Sequence, residues 1–205
     1  MRRGLLCVVL LLGCSSEMAT VPPLDRSDLD LDVCTRGPTG VGALSPGDPV
    51  DFLELHGAFG ATERVGERCS GASDRAACED ALANLLTPPT WTTRTGGGAP
   101  APGEYLVYTR GDEVGAVGAD SIASFLAPVD DVAEAAFLGA IETKGQVDCD
   151  APSAVQVEGG FELLMIRTET CGGAVTENRV FVGQDGSTEI LERALVREGE
   201  EIICP

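Results

Sequence analysis

Phe161-Glu162-Leu163-Leu164-Met165-Ile166-Arg167-Thr168 is the most strongly apolar, β-prone run in the C-terminal third of the chain. Cys171-Gly172-Gly173 follows as a turn, then the strand-like residues 178–183, then Asp185-Gly186, then residues 188–196. Three strands separated by a glycine turn and an Asp-Gly turn predict an antiparallel meander. In the last strand Ile190, Ala194 and Val196 are interspersed with Glu189, Arg193, Leu195 and Arg197. That mixture directs one face to a core and the other mostly to water.

Helical patterns precede the strands. Asp131, with Glu134 three residues on, has the form of a capping box. The helix it opens extends to about residue 143, where Gly145 can end it, and Val132, Ala133, Phe137 and Ile141 gather on one face. Residues 121–126 predict a short helix stopped before Pro128. Residues 105–110 and 114–117 read as strands joined by a Gly111-Asp112 turn. Arg110-Gly111-Asp112 also spells an adhesion tripeptide, which the turn explains without a receptor. Ser73 caps a helix over residues 74–86, where Ala77, Cys78, Ala81, Leu82 and Leu85 recur at helical spacing before Pro88 and Pro89. Residues 50–56 alternate as a strand, and the Gly- and Pro-rich residues 95–103 read as an exposed loop. Helix followed by hairpin thus occurs twice, in 74–118 and in 131–197. The expected class is α+β, two helices packed on antiparallel hairpins and a meander. It forms a single globular domain over residues 34–205, divisible into sub-units of about 34–120 and 121–205. The order loosely resembles small secreted modules of the PepSY type, in architecture alone.

The chain opens with Met1-Arg2-Arg3, an apolar run over residues 5–12, and Gly13-Cys14, the layout of a secretory signal. The run is shorter than the roughly 20 residues a membrane-spanning helix needs. Leu11-Leu12-Gly13-Cys14 resembles the lipobox of bacterial lipoproteins. The resemblance implies removal of residues 1–13 and lipidation of Cys14, so that the membrane is a partner through the N-terminal lipid. Ser15, in place of Asp, implies the outer membrane in a Gram-negative cell. An ordinary cleaved signal ending at a small residue is the alternative. Residues 14–33 carry Ser, Thr, Pro and four aspartates (Asp25, Asp28, Asp30 and Asp32), with little to bury, and read as a flexible acidic tether. The aspartates lack the central glycine and distal glutamate of a calcium loop.

Cys7 would leave with the signal and Cys14 would carry lipid, so Cys34, Cys69, Cys78, Cys149, Cys171 and Cys204 remain. An even number in an oxidising compartment implies disulfides. Local proximity favours Cys69–Cys78, Cys149–Cys171 and Cys34–Cys204, with other pairings open. No two of these cysteines have the short spacing of a zinc site, and the chain has one histidine, so no metal is expected.

Acidic residues number 33 against 14 basic ones, for a formal net charge of −19, and loss of Arg2 and Arg3 makes it more negative. Phosphate neutralisation needs clustered Lys and Arg, so nucleic acid is excluded as a partner. His56, the single histidine, has no Gly-x-Ser-x-Gly elbow to serve. Gly96-Gly97-Gly98 runs into Ala99-Pro100 and makes no phosphate cradle, so no cofactor is expected. Trp91, in a Thr/Pro-rich stretch, is the candidate exposed contact. The expected function is a non-enzymatic structural or interaction module, lipid-anchored in the cell envelope. The alternatives are a periplasmic ligand-binding or inhibitor-like module and a carboxylate-based hydrolase, the latter because carboxylates are plentiful.

Overall fold

The computed structural model describes residues 22–34, 40–57, 60–92, 103–149, 152–168 and 173–198. Its C-terminal half is the meander of the sequence: β7 (Gly160–Thr168), β8 (Val175–Gly183) and β9 (Thr188–Arg197), paired antiparallel in chain order. Gly186 sits at φ +81° in the turn before β9, where a side chain would be strained and would meet the Ala123 carbonyl. Two short strands, β5 (Gln146–Val147) and β6 (Ala154–Val157), lie end to end along the other edge of β7 and complete a five-stranded sheet.

The N-terminal half forms a second antiparallel sheet from β1 (Phe52–Gly57), β2 (Gly60–Gly66), β3 (Tyr105–Arg110) and β4 (Glu113–Val117), in the order β2-β1-β3-β4. β2, β5 and β6 are absent from the sequence reading. β2 is exposed along its whole length, so it has no buried alternation to announce it.

The helices are α1 (Arg75–Ala83), α2 (Ile122–Leu126) and α3 (Val132–Thr143). Asp74, not Ser73, is the N-cap of α1, accepting from the Ala77 amide. Asp131 caps α3 through a 2.7 Å bond from the Ala133 amide, while Glu134 Oε1 accepts from the Ser45 amide at 2.6 Å. Lys144, at φ +53°, takes the left-handed position that ends α3, one residue before the glycine expected to do so. The mixed α+β class holds, with three α-helices, two antiparallel sheets and a preponderance of strand among the described residues.

One hydrophobic core joins the halves. Leu53, Leu106 and Val117 from the first sheet meet Leu163, Met165, Val180 and Val182 from the second. Ile122, Leu126, Ala135 and Leu138 of α2 and α3 belong to the same cluster. α3 buries residues around most of its circumference, as a helix enclosed by protein does.

A smaller cluster, on the opposite face of the second sheet, corrects the reading of the chain's start. Leu24 and Leu29 are buried against Leu164 and Ala194. Leu31 makes an antiparallel bridge with Ala154 of β6. Residues 22–33 are therefore a strap that covers the outer face of this sheet through Leu24 and Leu29, passes its β6 edge at Leu31 and buries Val33 in the main core, where a flexible tether was expected. Composition misled because Leu24, Leu29 and Val33 are spread among aspartates, yet each finds an apolar site. Residues 14–21, the remainder of the expected tether, lie outside the described residues.

Candidate functional site

The cysteines divide into one expected pair and one correction. Cys69 and Cys78 form a disulfide, with Cα atoms 5.9 Å apart, clipping the loop after β2 to α1. Cys34 pairs with Cys149 at a Cα separation of 5.6 Å, so the preferred Cys34–Cys204 and Cys149–Cys171 pairs do not form. The strap is the reason: it carries Cys34 across the second sheet to the segment following β5, a route that spacing along the chain does not reveal. Cys171 and Cys204, like Cys14, lie outside the described residues.

Trp91 is not an exposed contact. It is 4% exposed, bridges the backbone of Glu104, and meets the Phe137 ring edge-on with centroids 6.1 Å apart. Its side chain joins the main core beside Phe137 of α3. The Arg110-Gly111-Asp112 tripeptide is engaged within the chain. Arg110 donates to the Pro49 and Asp48 carbonyls, and Asp112 accepts from the Ser73 amide and hydroxyl.

His56 belongs to a polar cluster on the face of β1 that points away from the main core. Glu54 and His56 are two residues apart on one strand and so share a face. Glu54 is 1% exposed, and its Oε1 lies 2.5 Å from His56 Nε2. Arg68 Nη2 donates to both oxygens of Glu54, at 2.6 and 2.7 Å. Arg68 stands beside the disulfide residue Cys69 and lies over the Phe52 ring, 5.5 Å from its centroid. Tyr105, directly across from His56 on β3, brings its hydroxyl to 3.4 Å from Nδ1. Burial alone would raise the Glu54 pKa, but the hydrogen bonds from Arg68 and His56 outweigh it and hold the carboxyl below the usual glutamate range.

The Glu54 carboxylate accepts from Nε2–H, which turns Nδ1 toward the Tyr105 hydroxyl. A surface cleft of about 450 Å³ lies on the opposite side of β3, lined by Asp48, Tyr108, Arg110, Ser121, Ser124 and Phe125 among others, and neither Glu54 nor His56 reaches it. In that cleft the Tyr108 hydroxyl donates to Glu113, and the Arg110 guanidinium lies over the Tyr108 ring and beside Asp48 and Glu113. Burial, then the Glu113 contact, raises the Tyr108 pKa. Sequence reasoning weighed His56 without its partners. The signal available was a glutamate at an alternating position of an otherwise apolar strand, two residues from the single histidine.

Ionic contacts fasten the strap. Arg26 reaches Asp148 at 2.5 Å and Glu177 at 2.6 Å, and the Leu24 amide donates to the same Glu177. Arg179 pairs with Asp28 of the strap and with Glu162 of β7 at 2.7 Å. Among the described residues no group of three or more His, Cys, Asp or Glu is placed to hold a metal ion, and no helix is long and apolar enough to cross a membrane.

Comparison with protein-family models, with curated proteins and with solved structures finds no match to this chain.

Proposed function

We propose that this chain is a lipid-anchored protein of the cell envelope, attached through Cys14, whose globular part is a non-enzymatic structural or interaction module. The observation that carries the reading is the Cys34–Cys149 disulfide, which joins residues 115 apart in sequence. Such structural disulfides belong to proteins that mature outside the reducing cytosol. The lipobox-like Leu11-Leu12-Gly13-Cys14 supplies the means of export and attachment. Ser15 favours the outer membrane in a Gram-negative cell.

The polar groups support a module that binds or braces. Glu54, His56 and Arg68 satisfy one another, and the cleft at Tyr108 has its charged groups paired internally. Labelling with radioactive palmitate tests the anchor. The native chain should take up label and sediment with membranes, and Cys14→Ala should lose the label and leave the membrane fraction. Unchanged membrane association of the unlabelled variant would overturn the reading.

A further inference from the structure

β9 is an edge strand of ten residues, and among the described residues nothing hydrogen-bonds to its outer side. The other sheet edges are short or covered. β2 has the 3-10 helix Gly40–Ala43 against it, with the Val41 amide donating to Glu63. β4 has five residues and carries the Tyr108 ring over Gly115, where a Cβ would come within 2.4 Å of the ring. β5 and β6 have two and four residues, and the strap bridges β6 at Ala154. A long, open edge is a template for a further strand.

The side chains of β9 suit one partner in particular. Leu191 and Leu195 are 46% and 43% exposed, the only exposed large apolar side chains of the second sheet among the described residues. Glu189 and Arg197 stand near the two ends of the strand with opposite charge. In an antiparallel pair centred on residue 193, Leu191 faces Leu195 of a second copy and Glu189 faces Arg197 of that copy, each contact occurring twice. Arg193 itself is drawn over β8, its Nε donating to Asn178 Oδ1 at 2.9 Å, which takes its charge away from the axis. The register with β8 shifts at Arg179/Val180 and at Val175/Thr176, so Leu191 and Val196 are skipped and the run between them stays regular.

We infer that β9 is a homodimer interface, at which two copies of this chain pair β9 antiparallel about Arg193 and merge their five-stranded sheets into one. A two-fold axis normal to the sheet generates this pairing, and such a contact is self-complementary and closed. The axis also leaves the outer faces of both sheets, each under its own strap, on the same side. Leu24, near the start of the strap, is held by Glu177, which lies opposite Ala194 of β9. The first described residues of both copies therefore lie on one side of the merged sheet and near the axis, an arrangement compatible with two chains anchored in one membrane. The pairing itself does not depend on the anchor.

The test uses the full chain in detergent, native and Cys14→Ala. Light scattering should give twice the chain mass for both. Leu191→Lys with Leu195→Lys should return the mass of one chain with an unchanged circular dichroism spectrum, since both side chains are exposed. Arg193→Cys should form a covalent dimer on mild oxidation, and a mixture of Leu191→Cys and Leu195→Cys chains should cross-link in mixed pairs, whereas Glu79→Cys on α1 should not. A single-chain mass at every attainable concentration would overturn the inference. So would a dimer that survives the double lysine variant, or one that neither cysteine arrangement traps. Loss of palmitate labelling with a persistent dimer would remove the anchor and leave the interface standing.

Discussion

Glu54 keeps its charge inside the fold because Arg68 and His56 donate to it, and the net effect lowers its pKa from 4.5. A lowered folded value stabilises the protein above the unfolded pKa. That contribution disappears as pH falls through the folded value. Glu134 lies in the opposite situation: burial raises its pKa above 4.5, and the Ser45 amide offsets only part of the effect. Its stabilising, protonated form is fully present below the unfolded value and is lost as pH rises through the folded one. Glu134→Gln preserves an oxygen for the Ser45 amide and cannot ionise, so its melting temperature should gain on the native chain between mildly acidic and neutral pH. Glu54→Gln should lose against the native chain at neutral pH, and the gap should close as the solution is acidified below the usual glutamate range. Melting curves for both variants across that pH span check the two signs. Arg68→Ala, which strips Glu54 of its charged donor, should cost about 2 kcal/mol in chemical denaturation.

Among the elements, α3 and β7 carry the joint between the two sheets. Met165 is fully buried, and its sulfur lies near Gly139 of α3, so Met165→Ala should cost about 3 kcal/mol through the cavity it opens. Asp131→Ala, losing the cap bond to Ala133, should cost about 1 kcal/mol. Both values are read from denaturant midpoints. The same elements were the legible ones. Asp131, the Gly111 and Gly186 turns and the apolar run of β7 act over a few residues, so their spacing states their structure. β2 escaped because it has no buried face, and β6 because a four-residue strand offers too few alternations to count. The strap and the Cys34–Cys149 bond escaped for a different reason. They depend on where the outer face of the second sheet lies, which no local pattern encodes. The Glu54 cluster needs the same long-range information, since Arg68 and Tyr105 come from a loop and a neighbouring strand.

The molecule as a whole is laced from its first described residues to its second sheet. The strap is held by two buried leucines, by Arg26 and Arg179, and by one disulfide. Cys34→Ser with Cys149→Ser should lower stability by about 2–4 kcal/mol. It should also admit trypsin to Arg26, whose guanidinium is otherwise tied to Asp148 and Glu177, and digestion followed by mass spectrometry reports that cleavage. Residues 15–21 reach at most about 25 Å when fully extended. If Cys14 is lipidated, the start of the strap at Pro22, eight residues on, therefore stays within about 29 Å of the lipid-bearing residue. The residue that ends α3 adds a practical handle. Lys144 is the chain's single lysine, exposed at the left-handed stop between α3 and β5. Acylation of the amino terminus would make it the protein's sole reactive amine. A succinimidyl ester would then attach one dye per chain at a known point, five residues before Cys149 of the strap's disulfide.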